Sequence, residues 1–376
     1  MKFLHLADLH LGKRLNDFDL LADQRHMLTQ ALKLVADEAV DAVLLAGDLY
    51  DKAIPSGGAV ALLDWFLTSM AEAGLPVFAV SGNHDGADRL DYGKDLFAKC
   101  RVHIAGRFSG TPVPLRLQDE YGPVELWLLP FVKPATVAHF FPDADCSDYT
   151  RAVAAALSDR KPDPAARQVL VAHQFVTAAG SAPQKAGSES INVGGLDNVD
   201  AACFAGFDYV ALGHIHKRQP VGQNAWYAGS PMAYSLDEAG QEKGALLVTL
   251  EEHGPAQVRF VPFAPLHPIR HITGPLEKLI DAAEPAQRED YIYATLTDKT
   301  PVLDAMDHLR AVYPNVMKLD YPQQTTGEAR TAAADVEKKD LRELFFDFYT
   351  QVNGEPPSEE AWQAVAELAK EGGMEL

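Results

Sequence analysis

The stretch Leu44-Leu45-Ala46-Gly47-Asp48-Leu49-Tyr50-Asp51 most narrows what this chain can fold into. An apolar run that ends in Gly-Asp reads as a buried parallel strand delivering a carboxylate to its C-terminal edge. In open α/β sheets that edge is where ligands gather. Gly-Asp after a strand is often only a turn, so Asp48 alone says little. Its weight comes from four other strand ends that also deliver Asp, His or Asn.

Taken in order, residues 2–7 form a short apolar strand that hands over to Asp8-Leu9-His10. Helical periodicity follows, with Leu20, Met27, Leu28, Ala31, Leu34 and Val35 on one face. The 41–47 strand leads through a loop at 54–58 into a helix carrying Leu62, Leu63 and Phe66. The 76–80 strand then ends in Ser81-Gly82-Asn83-His84-Asp85. This βαβαβ pattern predicts a parallel sheet with helices packed on it. Short β runs are expected between 101 and 131, including 124–129, and a helix over 147–166. The 168–172 strand ends at His173, and a Gly/Ser/Ala-rich loop at 177–198 is expected to be mobile. The 208–212 strand ends in Gly213-His214-Ile215-His216, and strands at 226–228, 245–250 and 258–263 complete a domain spanning 1–265.

Prolines at 262, 265, 268 and 275 mark a boundary. Residues 266–322 read as a small β-α-β-α-β unit, and 323–338 as a polar linker. In 339–376, Leu341, Leu344, Phe345, Phe348, Tyr349 and Val352 form one apolar helical stripe, and Trp362, Val365, Ala366 and Ala369 a second. Such a helix pair either folds back on the main domain or clamps a partner.

Each strand-end motif alone is weak: a lone His173 is more often a satisfied core histidine, and Asn83-His84 could be a turn. Together, Asp8, His10, Asp48, Asn83, His173, His214 and His216 make the ligand set that suits hard-to-borderline divalent metals. Seven ligands are too many for one cation and fit two that share Asp48. Two such cations about 3.5–4 Å apart activate water and clamp an in-line displacement at phosphorus. The mixed N/O set favours Mn, Fe or Zn over Mg or Ca. His84 is left over beside them. Histidine is the residue type suited to protonating a leaving alkoxide near neutral pH, and Asp85 could fix its orientation through the second ring nitrogen.

The order D-x-H, G-D-x-x-D, G-N-H-D, H and G-H-x-H resembles the calcineurin-like metallophosphoesterase superfamily. Finer features are similar to its bacterial SbcD family of double-strand-break nucleases. These are the opening F-L-H-L-A-D-L-H-L-G, A-L-G-H-I-H-K-R around His214, and Tyr227-Ala228-Gly229-Ser230-Pro231 followed by Asp237-Glu238 and Lys243-Gly244. The resemblance covers the whole chain. It implies an α/β fold: a sandwich of two β-sheets flanked by helices, with a small α/β capping domain and a C-terminal helix pair. It places Asp8, His10, Asp48 and His216 on one metal and Asp48, Asn83, His173 and His214 on the other. The metal it implies is usually manganese, and the catalytic acid His84. The implied activity is 3′-to-5′ exonuclease and endonuclease cleavage of DNA ends and hairpins, stimulated by ATP. The implied partner is the SMC-like ATPase SbcC, gripped by the C-terminal helices, in a complex containing two copies of the chain. Asp51-Lys52 departs from the Asp-Arg-Gly typical of protein Ser/Thr phosphatases.

Composition bears on this in two ways. No apolar run reaches the roughly 18 residues that span a bilayer, strand character begins at once, and the three cysteines are odd in number and widely spaced. A cytoplasmic protein without a signal peptide or disulfides is the expectation. The formal net charge of −20 is at odds with gripping DNA through an overall field. Basic residues do follow the motifs directly: Lys13 and Arg14, Lys52, Arg89, Lys217 and Arg218. They form a local basic rim if the motifs converge, or are simply charges on solvated loops. A small-molecule or cyclic-nucleotide phosphodiesterase, and a DNA-end scaffold with a vestigial site, are the competing readings. The complete ligand set weighs against the second.

Overall fold

The computed structural model describes residues 1–178, 183–184, 197–300 and 302–321, and beyond these positions 342, 345–346, 349–350, 356–358, 362–363 and 365. Within Met1–Asp320, two six-stranded sheets carry the architecture. In the first, Lys2–Leu6, Ala42–Ala46, Val77–Val80 and Val102–Ala105 run parallel, and Gly244–Thr249 and Gln257–Pro262 extend it antiparallel. The second has Gly122–Leu129, Arg167–His173, Tyr209–Gly213 and Ala225–Tyr227 in parallel, with Leu115–Asp119 and Gln219–Val221 antiparallel at its edges.

The burial pattern gives the layers. Side chains alternate along a strand, and here both faces are covered, so the central strands are apolar throughout. Leu4, Leu6, Val43 and Leu45 pack on one side against Met27 and Leu28 of helix Leu21–Asp37 and Leu62 and Phe66 of helix Gly57–Glu72. Phe3, Leu44, Ala46 and Phe78 point the other way, onto Leu126, Val169, Val171 and Tyr209 of the second sheet. The outer face of that sheet is covered by helices Pro134–Phe140 and Tyr149–Ser158. The result is a sandwich of two sheets with helices on both outer faces.

His5 occupies one of the inward positions between the sheets, fully buried, with Nδ1 2.8 Å from the Tyr209 hydroxyl. Burial lowers its pKa to about 3, against a weaker hydrogen bond from the ring to the Leu212 backbone. The unfolded chain protonates this ring near 6.5 and the folded chain does not. The stability it contributes is therefore intact above pH 6.5 and falls as pH drops towards 3, by roughly 1.4 kcal/mol per pH unit. In metal-free protein, His5→Asn is expected to make the slope of unfolding free energy against pH shallower by one proton between pH 6 and 4.5. Coincident slopes would contradict this.

A three-stranded parallel sheet, Ile269–Gly274, Tyr291–Leu296 and Val316–Asp320, builds a smaller layer with its own core around Ile292, Leu296, Leu309 and Val316. It is fastened to the body through Asp23, whose carboxylate accepts hydrogen bonds from the His267 backbone and the Tyr291 hydroxyl. Asn16 reaches across to the Met317 carbonyl.

Several elements differ from expectation. The helix expected over 147–166 is confined to Tyr149–Ser158, because Pro162 and Pro164 cannot continue it. The second helix of the β-α-β-α-β unit read over 266–322 is Ala305–Arg310. Two short helices, Ala87–Leu90 and Lys94–Lys99, follow Asp85 where no element was anticipated. Most of the 177–198 loop lies outside the described residues. No described helix is long and apolar enough to cross a membrane.

The segment Tyr321–Leu376 is a unit of its own. In it Phe345 lies 5.8 Å from Trp362 and 5.7 Å from Tyr349, and Phe346 lies 6.0 Å from Trp362. Phe345 of the first stripe, itself beside Tyr349, thus lies close to Trp362 of the second. Leu341, Leu344 and Phe348 lie outside the described residues.

Candidate metal centre

The strand ends that carry the motifs converge on one place. The loops after Lys2–Leu6 and Ala42–Ala46 run side by side: Asp8 N donates to Gly47 O at 3.0 Å and His10 N to Asp48 O at 2.9 Å. Asp8, His10, Asp48 and His214 all have positive φ, between 42° and 94°. Backbone in that region costs energy and is kept where the surroundings over-determine it. Two glycines make the approach possible. A Cβ on Gly82 would lie 2.1 Å from Asp48 Oδ1, and one on Gly213 would lie 1.9 Å from Ala46 O.

All seven ligand-type side chains are brought together. His10 Nε2 and His216 Nε2 face each other at 3.0 Å, and His10 Nε2 lies 3.7 Å from Asp48 Oδ2. His173 Nδ1 lies 2.8 Å from Ala46 O. A carbonyl only accepts, so Nδ1 carries the hydrogen. Nε2 is thereby turned towards Asn83 Oδ1 at 3.1 Å and Asp48 Oδ2 at 3.4 Å. Asn83 Oδ1 is also 2.9 Å from His214 Nδ1, and Asp8 Oδ1 accepts from the His214 backbone at 2.9 Å. Three overlapping sets have ligand atoms within 4.8 Å of one another: Asp8/His10/His216, His10/Asp48/His84 and Asp8/Asp48/His173.

This arrangement fits divalent cations. Asp8 Oδ2, His10 Nδ1 and His214 Nε2 are buried without a hydrogen-bond partner. Polar atoms in that condition normally find a hydrogen bond or an ion. The electrostatics agree. Burial raises the Asp8 carboxyl to about 6, against His173 and His216. Burial pushes Asp48 the same way, but the neighbouring His173, His10 and His84 hold it well below the usual carboxylate range. Burial disfavours a charged His173, yet Asp48 and Asp8 bring it up to about 9. Burial lowers His10, and His214 to about 3, so both rings are neutral, the form that ligates metal.

His84 and Asn83 sit on the open side, half-buried and exposed respectively. The His84 backbone N–H donates to Asp48 Oδ1 at 2.9 Å, and its Nδ1 lies 3.0 Å from the Asp51 carbonyl. Here the expectation for Asp85 is corrected. Its carboxylate does not orient His84 but accepts three backbone N–H bonds, from Tyr50 at 2.8 Å, Gly82 at 2.9 Å and Leu49 at 3.1 Å. Asp85 joins the Asp48 and Asn83 loops, and the Asp51 carbonyl orients His84.

The basic residues divide. Lys13 is held by Asp51 at 3.0 Å, whose carboxylate also lies 3.6 Å from His10 Nδ1. Lys217 and Arg218 flank a 260 Å³ cavity next to His216, with Arg218 stacked on Phe260. Lys52 is exposed. Arg14 turns back onto Asp17 O in its own hairpin, and Arg89 lines an apolar groove against helix Gly57–Glu72 instead of the centre.

Three supporting groups were missed in the sequence. Gln24 ties the Asp8–His10 loop down, accepting from Gly12 N at 2.9 Å and donating to His10 O at 2.7 Å. The Tyr234 hydroxyl donates to Leu9 O. Glu238 stands behind His216; burial opposes its ionisation, but His216 and Lys243 bring the carboxyl down to about 2. Of the three, only Glu238 lay in a motif that could have exposed it.

Comparison with known proteins follows the same lines. Residues 1–218 match the family described as calcineurin-like phosphoesterase. Residues 265–353 match one described as Type 5 capsule protein repressor C-terminal domain. The chain is 30% identical over 354 residues to the SbcD subunit of the SbcCD nuclease of Staphylococcus epidermidis, covering 93% of this chain and 92% of that protein. Among solved structures, TT1561 of Thermus thermophilus matches with TM-score 0.36, and a dimetal phosphatase from Danio rerio with 0.37. Each is 12% identical and covers 69% of this chain and 98% of its own.

Proposed function

Since the chain belongs to the calcineurin-like phosphoesterase family, and within it to the SbcD nuclease subunits, we propose that it is the metal-dependent nuclease of an SbcCD-type complex. The observation that carries the reading is the convergence of seven N and O ligand-type side chains, Asp48 among them, from both sheets on one place. In this reading Asp8, His10, Asp48, Asn83, His173, His214 and His216 hold two divalent ions, most simply manganese. When bound, those ions supply charge neutralisation at the phosphate and activate the attacking water.

The chain's own groups do the rest. The Ala46 carbonyl fixes the tautomer of His173, so its Nε2 is committed to the centre. The Asp51 carbonyl holds Nδ1–H of His84, and Nε2 is left as the atom that passes a proton to the departing 3′ or 5′ oxygen. Asn83 and His84 on the open side define where the scissile phosphate enters. Lys13, Lys217 and Arg218 supply local positive charge for neighbouring phosphates in a chain of net charge −20.

The finer assignments extend this reading. They are 3′-to-5′ exonuclease and hairpin endonuclease action on DNA ends, in repair, recombination and replication, in the cytoplasm. The ATPase partner SbcC is gripped by the tail through Phe345, Tyr349 and Trp362, and two copies of the chain sit in the complex. Residues 266–322 act as a capping domain and 323–338 as a linker.

The purified chain with Mn²⁺ should release nucleotides from a duplex labelled at its 3′ end. Hydrolysis of bis-p-nitrophenyl phosphate with untouched DNA, even after the ATPase is added, would overturn the reading in favour of a small-diester phosphodiesterase.

A further inference from the structure

The segment between strands Ala225–Tyr227 and Gly244–Thr249 buries a charged pair that the reaction above leaves unused. Glu238 is fully buried, and Lys243 is 9% exposed. Two charges taken out of water persist only where both are paired and hydrogen-bonded, and here contacts of both members reach His216. Glu238 Oε2 lies 2.5 Å from Lys243 Nζ, and Oε1 accepts from Ser235 Oγ at 3.1 Å and lies 3.9 Å from His216 Nδ1. Lys243 Nζ donates to His216 O and to Ser230 Oγ, each at 3.0 Å, and Ser230 N donates to the same His216 carbonyl at 3.1 Å. The pair thus grips His216 at its backbone and faces the outer side of its ring, while Nε2 points inwards at His10.

We propose that Glu238 and Lys243 are positioning residues that fix the tautomer and orientation of His216 for cation binding. The proposal rests on the metal reading given above. A carboxylate at Nδ1 favours the hydrogen there and leaves the Nε2 lone pair for the ion. Outer partners of this kind typically govern metal affinity by about tenfold to a hundredfold. Lys243 keeps the carboxylate from turning away and pins the backbone from which the ring projects.

The test is a calorimetric Mn²⁺ titration of the full chain, beside ¹⁵N-histidine spectra of the metal-free protein. Glu238→Gln is expected to weaken one Mn²⁺ site about tenfold to a hundredfold and leave the other unchanged. Glu238→Ala should turn the single Nδ1–H signal pattern of His216 into a tautomer mixture. If the single variants do not fold, Glu238→Gln with Lys243→Met removes both charges together and should show the same weakened site with an unaltered metal-free unfolding midpoint. Unchanged affinities with an unchanged tautomer would overturn the proposal. So would equal weakening of both sites with a lowered metal-free midpoint, which would mark a packing role. A wild-type chain that binds no Mn²⁺ would instead remove the metal reading itself, and this proposal with it.

Discussion

Asp48→Asn is expected to lower DNA cleavage by about a thousandfold or more, the several kcal/mol that metal-assisted catalysis contributes. Bound Mn²⁺ should fall below one ion per chain. The substitution is nearly isosteric, and an amide oxygen can still accept the His84 backbone N–H that Asp48 now holds at 2.9 Å. The loop therefore keeps its shape, and the loss reports the charge. Asp48 is the carboxylate that faces both His10 and His173, at 3.7 and 3.4 Å. An amide there leaves both halves of the centre short of an anion. Metal analysis after dialysis, together with the labelled-duplex assay, checks it. A variant that keeps two ions and cuts at the wild-type rate would remove Asp48 from the middle of the site.

His84→Ala separates chemistry from metal binding. Cleavage of DNA should fall by about 10²–10⁴-fold, the usual worth of a placed general acid, while two Mn²⁺ remain bound. The substrate dependence is diagnostic. A deoxyribose alkoxide needs a proton as it leaves and p-nitrophenolate does not, so hydrolysis of bis-p-nitrophenyl phosphate should suffer far less. Equal losses on both substrates would point to substrate placement instead of proton transfer. The ring is held through Nδ1 at the Asp51 carbonyl, so the ligand set should not move with it.

The scaffold was legible where its physics is local. Apolar strands separated by amphipathic helices must form a doubly covered parallel sheet, and strand ends rich in Asp, His and Asn marked where a site would lie. Adjacency misled at Asp85. It follows His84 directly, but the tight turn sends its carboxylate to the backbone of Leu49, Tyr50 and Gly82. Gln24 was invisible because a buried polar residue on a helix gives no periodic signal, and its partner loop is brought to it only by the fold. Glu238 and Lys243 stood in a quoted motif, yet their grip on His216 depends on a loop crossing that no spacing rule predicts. The helix read too far past Ser158 shows the reverse error, with alanine content outweighing two prolines.

The ligand-type residues come from both sheets: Asp8, His10, Asp48 and Asn83 from the first, His173, His214 and His216 from the second. The first sheet is itself finished only by strands Gly244–Thr249 and Gln257–Pro262, far along the chain. A nascent chain emerging from the ribosome therefore holds no assembled centre until nearly all of the double-sheet body has been made. Divalent ions held between the two halves would bind the folded chain and not the unfolded one, and so would stabilise the closed sandwich by mass action.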